Sequence, residues 1–404
     1  MYKKFALAAL LLLTSEAGTA DPLPPEQMRL LAESYSRIKT DYVDPSDDAK
    51  LIGGCVTGML GSLDRRSIYL DKERLEELRN PKVGAGVGVD LQVRDGLVKV
   101  FTAFPGGPAA RAGIRAGDVI VRVNSVSTVG RPMDEVVDLI RGDAGSGVKV
   151  VIAREGETSA LEFDLVREVI TMRELEGRLM PGRIGYIRVD RFVDGMIALL
   201  AEKLKALDRE AEQQLAGVIL DLRGNSGGLL YVSIGFAAAF LPNDALIAET
   251  RGRSKDSTLS LHARKSDYIR GAFKSNPLDD VRAGVRWSVP LVVLVDGQTS
   301  SGAEIVSAAL QDHKRAVLVG SKTAGLATIQ TILPLGRSAG DGALKLTTAR
   351  YFTPSGKSYE GKGIDPDIPV ERAAPGTDAE LDAALQRIAS LKAQQENSQR
   401  EERR

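Results

Sequence analysis

The chain has 404 residues, with 54 basic and 54 acidic side chains, and therefore carries no formal net charge. This balance gives no indication of a polyanionic partner, so we expect no nucleic-acid binding. The single cysteine, Cys55, excludes an internal disulfide, and two histidines without clustered ligands argue against a metal site. We therefore expect two or three domains stabilised by hydrophobic cores, without a cofactor.

The first 20 residues have the pattern of a secretory signal peptide. Lys3 and Lys4 precede an apolar run over residues 5–13, and residues 18–20 form a small-residue cleavage site. The apolar run is too short to span a bilayer, so we expect a cleaved leader and a periplasmic or secreted protein. An uncleaved N-terminal anchor is the alternative.

Residues 21–82 are predicted to form a helical N-terminal module. Apolar residues recur at helical spacing in two stretches, which a turn signal at residues 44–46 separates. The two apolar faces consist of Met28, Leu31, Tyr35 and Ile38, and of Leu51, Cys55, Met59 and Leu63. Cys55 lies among small neighbours and is predicted to pack as a small hydrophobic residue.

The next region alternates short strands with one amphipathic helix. Strands are predicted over residues 98–103, 119–123 and 148–153, and a helix over residues 133–141. The glycine-rich segment at residues 84–88 precedes a strand pattern, whereas a dinucleotide site needs a helix at that point. We therefore exclude a nucleotide-binding role for these glycines.

This region, residues 83–167, resembles a PDZ domain. The likeness is carried by GVGV at residues 86–89 and by GPAARAGIRAGDVIVRVN at residues 107–124. It implies that a partner's C-terminal tail adds as a strand, with its carboxylate held by backbone N–H groups and its last side chain in an apolar pocket. The implied peptide-binding residues are Gly86, Val87, Gly88, Val89, Val136 and Ile140. A PDZ fold that serves only as a lid or spacer is the alternative.

Residues 168–372 alternate buried strands with helices, which predicts a mostly parallel α/β layer whose ligands bind at the carboxyl ends of the strands. The strands are predicted over residues 184–189, 218–222, 291–295 and 317–319, and the helices over residues 193–207, 229–240 and 303–312. The loop DLRGNSGG at residues 221–228 follows one strand. Its paired glycines permit close approach to a ligand, or they form an ordinary tight turn.

Ser301 lies where the strand at residues 291–295 gives way to a helix. A hydroxyl there is beside free backbone N–H groups and the positive end of a helix dipole, which suits a nucleophile whose reaction generates an oxyanion. The sequence from Ser301 to Glu304 also fits a capping box, in which the serine only satisfies the first helical turn. This stretch alone does not decide between the two roles.

Six motifs occur in the order found in the carboxyl-terminal processing (tail-specific) serine proteases, which the chain resembles over residues 30–370. They are GVGV, GIRAGDVI, GYIRVDRF, ILDLRGNSGG, SSGAEIVSAALQDHKRA and LTTARYFTPSGKSYEGKGIDPDI. The resemblance implies a multidomain α/β protein, with the PDZ domain inserted before a protease core of the ClpP/crotonase-like type. It also implies an endopeptidase with a Ser/Lys dyad, in which a glutamine helps to hold the lysine.

The family's site residues can be assigned to matching positions of this chain. The resemblance places the nucleophile at Ser301 and the glutamine at Gln330. It places the oxyanion-hole amides at Gly302 and at either Gly227 or Gly228.

The family's catalytic lysine is missing, because Leu326 occupies its position. A lysine activates serine by accepting its proton, whereas leucine has no lone pair, and loss of such a base costs about 10³- to 10⁶-fold in turnover. Lys322 is the possible substitute. His313 would lie about 18 Å from Ser301 along the predicted helix, and His262 falls in a polar stretch predicted to be a surface loop, residues 251–286.

Two hypotheses follow for a protein that acts on polypeptide substrates or partner C-terminal tails. The first is an exported carboxyl-terminal processing endopeptidase that is impaired by Leu326. The second is a catalytically inactive pseudoprotease that binds peptides or acts as a scaffold through its PDZ domain.

Residues 373–404 are predicted to form a C-terminal helix followed by a polar tail. Leu381, Leu385, Ile388 and Leu391 make an apolar stripe that docks on the body or on a second subunit, so a homo-oligomer is possible. The charged residues 394–404 are predicted to be disordered.

Overall fold

The structure is a computed structural model of the chain. It describes residues 24–402, apart from residues 65, 80–84, 95, 105, 132, 171–174, 213, 271–274, 280, 282–288, 337–341 and 372–376. The predicted signal peptide, residues 1–20, lies outside the described residues. The chain divides into two compact units, Met1–Leu63 and Asp64–Arg404.

The first unit consists of two helices, α1 (Pro25–Asp41) and α2 (Asp48–Gly61). Pro25 begins α1 with a backbone angle suited to the first helical position. The Asp47 side chain caps α2 by accepting the N–H of Lys50 at 2.8 Å.

Most apolar side chains of the first unit are exposed, because two helices provide no third layer to cover them. Those that are exposed include Met28, Leu30, Leu31, Ile38, Ile52, Met59 and Leu63. Cys55 is also exposed, so the prediction that it packs as a buried hydrophobic residue is wrong within this unit.

The second unit begins with β1 (Ile68–Leu70) and α3 (Lys72–Arg79), and continues into the PDZ-like region. The elements of that region are β2 (Ala85–Gly86), β3 (Val89–Arg94), β4 (Leu97–Ala103), α4 (Pro108–Ala112), β5 (Val119–Val123), β6 (Val126–Ser127), α5 (Met133–Ile140), β7 (Gly147–Ala153), β8 (Leu161–Val166) and β9 (Glu168–Val169). The main sheet has the order β3-β4-β5-β7-β8, with β6 on β5, and β2 pairs with β9. Among the described strands β3 pairs only with β4, so it is an edge strand, and it contacts α5.

The core of the protein is a six-stranded sheet in the order β10-β11-β12-β15-β16-β19. Its strands are β10 (Leu175–Met180), β11 (Ile184–Val189), β12 (Gly217–Asp221), β15 (Leu291–Val295), β16 (Val317–Gly320) and β19 (Ile368–Pro369). The strands from β11 to β19 are parallel, and β10 runs antiparallel at the edge. The predicted mostly parallel layer is therefore present.

Helices cover both faces of this sheet, which explains why every residue of β12 and β15 is buried. They are α6 (Met196–Glu210), α7 (Leu230–Ala238) and α9 (Gly302–Asp312) on one face, and α10 (Ala379–Glu402) on the other. Successive strand residues point to opposite faces, so Val293 joins the first cluster and Val292 packs with Ile388 of α10. Helix α10 continues to Glu402, so the tail predicted to be disordered is helical there.

A third sheet surrounds the long strand β18 (Ala343–Phe352). Its other strands are β1, β13 (Leu246–Gly252), β14 (Leu259–His262) and β17 (Thr328–Pro334). The register requires β17 to occupy one edge of β18, while β1 and β13 share the other edge.

The stretch predicted as a surface loop, residues 251–286, is partly structured where the structure describes it. After β13 it contains a short 3₁₀ turn (Lys255–Ser257), the strand β14 and the short helix α8 (Lys265–Tyr268). The loop prediction is therefore wrong for these residues, because Tyr268 is fully buried and anchors the segment in the main core.

No helix in the described part of the chain is long and apolar enough to cross a membrane. Across the same residues, no group of three or more acidic, histidine or cysteine side chains is arranged to hold a metal ion.

Candidate active site

Ser301 occupies a strained turn between β15 and α9. Its backbone angles are φ 54° and ψ −117°, a conformation that L-residues adopt rarely and at an energetic cost. The preceding loop is fixed by Asp296, whose Oδ1 accepts the N–H groups of Thr299 at 2.9 Å and Gly224 at 3.0 Å. These bonds join the loop after β15 to the loop after β12, at the carboxyl edge of the sheet.

Glu304 is a fully buried carboxylate in the first turn of α9. Its Oε2 accepts the N–H of Ser301 at 3.0 Å and the N–H of Leu326 at 2.8 Å. Its Oε1 accepts the Gly325 N–H at 2.8 Å and the Thr323 hydroxyl at 2.5 Å. Burial raises the pKa of Glu304 above its usual range, although the four donors oppose this shift.

Tyr351, on β18, hydrogen-bonds to the carbonyl groups of Ser301 and Leu326. Its hydroxyl lies 2.7 Å from the carbonyl oxygen of Ser301 and 2.6 Å from that of Leu326, so one hydrogen is shared between two acceptors. The ring is buried, which raises the pKa of Tyr351 well above its usual value and keeps the hydroxyl protonated. Positions 301 and 326 are therefore held side by side by one carboxylate and one phenol.

No amine or imidazole of the described residues forms a hydrogen bond with the Ser301 side chain. Lys322, the possible substitute base, pairs with Asp365 at 2.9 Å and has an exposed side chain. His313 Nε2 lies 2.7 Å from the carbonyl oxygen of Leu246, and His262 Nδ1 lies 3.2 Å from that of Ser260. The structure thus places Leu326 next to Ser301. Lys322, His313 and His262 all have their polar contacts elsewhere.

Gln330 lies on β17, close to the Leu326 position but without a lysine to hold. Its amide donates to the hydroxyls of Thr328 at 3.0 Å and Thr347 at 3.3 Å. Arg66 also donates to the Thr328 hydroxyl and pairs with Glu360 at 3.5 Å. Sequence reasoning missed Arg66, because 262 positions separate it from Thr328.

Two of the predicted oxyanion-hole glycines, Gly227 and Gly302, lie close together beside Ser301. A Cβ on Gly227 would lie 2.7 Å from the nitrogen of Gly302, so only glycine fits this approach. The Gly227 N–H already donates to Asn225 Oδ1 at 2.8 Å. Neither the Gly228 N–H nor the Gly302 N–H has an acceptor among the described residues. Of the two alternatives, Gly228 is therefore the one with an amide available for an oxyanion.

The loop after β12 is anchored to α10 by a buried charge network. Asp221 is fully buried and accepts from the Tyr186 hydroxyl at 2.6 Å and from Arg223 Nη2 at 2.6 Å. Arg223 Nη1 also donates to Asp378 at 2.7 Å and to Glu380 at 2.6 Å. Burial, supported by Asp221, raises the pKa of Tyr186 to about 12. This network fixes the loop that carries Gly227 and Gly228.

The predicted peptide-binding residues lie between β2 and the beginning of β3, and on α5. The carbonyls of Val87 and Gly88 accept the N–H groups of Ala109 and Phe104, both at 2.8 Å. Gly88 has φ 74°, and a Cβ there would lie 3.3 Å from the Cα of Gly107.

Val136 and Ile140 of α5 belong to the hydrophobic core of the PDZ-like region. They are 0% and 5% exposed, so they lie beneath the groove rather than open to solvent. On the same helix, Met133 remains 39% exposed.

The PDZ-like region contacts the loop that precedes Ser301. Gln298 Nε2 donates to the carbonyl oxygen of Phe101, on β4, at 2.6 Å. A Cβ on Gly224 would lie 3.8 Å from the Thr102 hydroxyl. The two neighbouring loops at the carboxyl edge therefore both face β4.

We predict that Glu304→Gln strongly destabilises the protein. A carboxamide keeps one acceptor oxygen and turns an NH₂ group toward two of the four donors, so two charge-assisted hydrogen bonds are lost. We expect the free energy of unfolding to fall by about 2–4 kcal/mol, measured by urea denaturation. Glu202→Gln, on the exposed face of α6, is the matched control and should change it by less than about 0.5 kcal/mol. Equal midpoints for parent and Glu304→Gln would contradict this role.

Comparison with known proteins agrees with this geometry. Residues 183–370 match peptidase family S41, and residues 103–154 match the PDZ domain. The chain is 37% identical over 353 residues to the carboxy-terminal-processing protease of Bartonella bacilliformis, covering 87% of this chain and 76% of that protein. It is 31% identical over 345 residues to the carboxy-terminal processing protease CtpA of Bacillus subtilis, covering 84% of this chain and 68% of that one.

A solved structure is similar over nearly the whole chain. The photosystem II D1 C-terminal processing protease superposes with a TM-score of 0.66 at 28% sequence identity, covering 89% of this chain and 96% of that chain. The predicted combination of a PDZ domain and an α/β protease core is thereby confirmed. By sequence and by fold, the chain belongs to the carboxy-terminal processing protease family.

Proposed function

We propose that this protein is an exported, tail-binding member of its family whose peptidase activity is strongly impaired by Leu326. The observation that carries the proposal is the frame formed by Glu304 and Tyr351. It holds Ser301 beside position 326, while no amine or imidazole of the described residues forms a hydrogen bond with the serine side chain.

The chemistry of the site supports impairment rather than a repaired mechanism. A serine hydroxyl attacks a peptide bond efficiently only when a neighbour accepts its proton. Leu326 supplies no lone pair, and the exposed side chain of Lys322 forms an ion pair with Asp365. The available amides of Gly228 and Gly302 can still stabilise an oxyanion, which would allow slow hydrolysis but not efficient turnover.

We predict that Leu326→Lys increases cleavage of an unstructured protein substrate by about 10³-fold or more. The new amine would be half-buried at position 326, and burial favours a neutral lysine that can act as a base. Initial rates of cleavage, followed by gel electrophoresis, measure the effect. Leu326→Met is the matched control, because it alters the side chain without adding a base.

The serine is tested in the same assay. Ser301→Ala, introduced together with Leu326→Lys, should abolish the gained activity. Efficient cleavage by the wild-type chain that Ser301→Ala abolishes would contradict the proposed impairment.

The second candidate function is that of a pseudoprotease that binds peptides as a scaffold and does not cut them. The observation that favours it is the intact cleft: the four donors to Glu304 and the Tyr351 contacts persist without the base. Wild type and Ser301→Ala separate the two candidates, because a pseudoprotease shows the same background rate in both.

Tail binding is supported by the open edge of β3. A peptide strand can add there because no described strand occupies that edge, and α5 lies alongside it. The backbone N–H groups of residues 86–89 are proposed to hold the terminal carboxylate, with the last side chain entering between β3 and α5. The proposed ligands are C-terminal tails of polypeptides that end in an apolar residue.

We predict that amidation of a tail peptide weakens its binding by about tenfold or more, because it removes the charge from the group held by the amides. The test uses the full chain carrying Ser301→Ala and a fluorescent peptide ending in valine, with dissociation constants from fluorescence anisotropy. Equal affinity for the free acid and the amide would reject carboxylate recognition.

Export is proposed on the leader pattern of residues 1–20. If the leader is cleaved as proposed, the protein isolated from the periplasm should have Asp21 as its first residue. Retention of the leader on a membrane-bound product would support an anchor instead.

We propose that the first unit also pairs with the same unit of a second copy. Helix α1 buries none of its residues, and α2 buries only Leu60. The charged residues Arg37, Glu33 and Asp41 pair with one another along α1, while Met28, Leu31 and Ile38 leave apolar surface on the same helix. A second copy offers an identical apolar surface, as closed dimers require.

We expect the mature chain to have the mass of a dimer by light scattering at micromolar concentration. Leu31→Glu combined with Ile38→Glu should yield monomers, because two charges would enter the apolar contact. A monomeric parent chain would contradict the proposed pairing.

A further inference from the structure

Three arginine side chains form a row on one face of the third sheet. Arg251 of β13 and Arg350 of β18 are directly opposite each other in their ladder, and Thr328 of β17 is opposite Arg350 on the other side. The register shift of the β17–β18 ladder follows Ile329, so it lies beyond this pair. Residues directly opposite each other share a face of the sheet. Arg66 extends the row, because its guanidinium donates to the Thr328 hydroxyl.

Contacts and burial show that this face is turned to solvent. The guanidinium carbon of Arg251 lies 4.2 Å from the centre of the Phe352 ring, so both side chains are on one face. Arg251 and Arg350 are exposed. Tyr351 lies between Arg350 and Phe352 in the strand, but it is buried and donates to the Ser301 carbonyl. The arginine row is therefore on the outer face of β18, and the Ser301 turn is on the inner face.

The row has more positive than negative charge. Glu249 pairs with Arg251 at 2.9 Å, and Glu360 pairs with Arg66 at 3.5 Å. The side chain of Arg350, which lies between them, forms no hydrogen bond or ion pair with the described residues. Like charges directly opposite each other destabilise a sheet, so the fold gains nothing from this arginine pair. One of the three cations is thus left for an external anion.

The row begins beside the candidate active site. The Thr328 hydroxyl that accepts from Arg66 also accepts from the Gln330 amide at 3.0 Å. Thr328 follows Leu326 by two residues, which is about 7 Å of extended chain. Adjacent strands are about 4.8 Å apart, so the row extends about 10 Å from Thr328 across β18 to β13. A polypeptide bound at the Ser301 turn can therefore reach it.

We propose that this arginine row binds an acidic segment of a polypeptide that lies in the candidate active site. Two of the guanidinium groups already pair with glutamate side chains of the chain itself, so a carboxylate fits their geometry. An extended polypeptide advances about 3.3 Å per residue, so about three residues span the row. This inference rests on the proposed binding of polypeptides and adds a preference for neighbouring Glu or Asp residues. Opposite charges arranged in this way contribute mainly to specificity.

The test compares two fluorescent peptides with amidated C-termini, one with a central run of Glu and the other with Gln at the same positions. Amidation removes the terminal carboxylate, so the proposed contact with the PDZ-like region is absent in both peptides. The full chain carrying Ser301→Ala is used, and dissociation constants come from fluorescence anisotropy. We expect the Glu peptide to bind about tenfold more tightly at low ionic strength, and this preference to shrink as salt is raised.

Variants assign the preference to the row. Arg350→Gln should lower the Glu/Gln affinity ratio by about threefold, because it removes the cation that has no partner. Arg251→Gln should lower the ratio as well, because it leaves Glu249 beside Arg350. Arg122→Gln replaces an exposed arginine of β5 that pairs with Glu162 at 3.2 Å. It is the matched control with the same change of charge, and should leave the ratio unchanged.

A binding role and a structural role of Arg350 predict different effects on stability. Because Arg350 lies opposite another arginine, Arg350→Gln should leave the midpoint of urea denaturation unchanged or raise it. A variant that is no less stable and binds the Glu peptide less tightly has lost a ligand contact and kept its fold.

Two outcomes would overturn the inference: equal affinity for the Glu and Gln peptides in the parent, or the same loss of preference in Arg122→Gln as in Arg350→Gln. Peptides that differ only in a free or amidated terminus test tail recognition separately. If these bind equally while the Glu preference depends on Arg350, only the proposed tail recognition fails. If the terminus matters and the Glu run does not, only the present inference fails.

Discussion

The buried carboxylate of Glu304 is the constraint on which the rest of the site depends. A carboxylate removed from water is stable only when its oxygens accept hydrogen bonds, and here four donors come from two separate segments. One segment is the strained turn at Ser301, and the other is the loop that leads into β17. Burial of one charge therefore forces two distant parts of the chain into contact, and the strain at Ser301 is offset by the bonds that this contact creates.

The frame around Ser301 consists largely of main-chain groups. Glu304 holds two N–H groups and Tyr351 holds two carbonyl groups, so neither contact depends on the side chain at position 326. The turn at Ser301 is therefore held in the same way whether the residue at position 326 is a leucine or a lysine. The main chain thus fixes the position of residue 326 beside Ser301, and the side chain there determines whether an amine is present.

Local pattern was enough to predict most of the fold. The run of residues 291–295 and its alternation with helices predicted the parallel sheet, and the strand-to-helix transition predicted where Ser301 lies in it. The partners of Glu304 could not be predicted, since Leu326 lies 22 positions away and only the fold joins them. The same limit applies to Arg66, which lies 262 positions from Thr328 in the sequence. Composition was misleading at the C-terminus, where polar residues with high helix propensity extend α10 instead of ending it.

The salt bridges between Arg223 and the start of α10 link the far end of the polypeptide to the loop beside Ser301. Arg223 connects Asp221 in the centre of the sheet to Asp378 and Glu380, and Ile388 fastens the same helix over the strands. Proteolytic loss of about the last thirty residues would remove Asp378 and Glu380, and would leave Arg223 beside the glycine loop with Asp221 as its remaining anionic partner. Loss of the final helix would therefore alter the loop beside Ser301. A truncated molecule would differ from an intact one in its cleft as well as in its length.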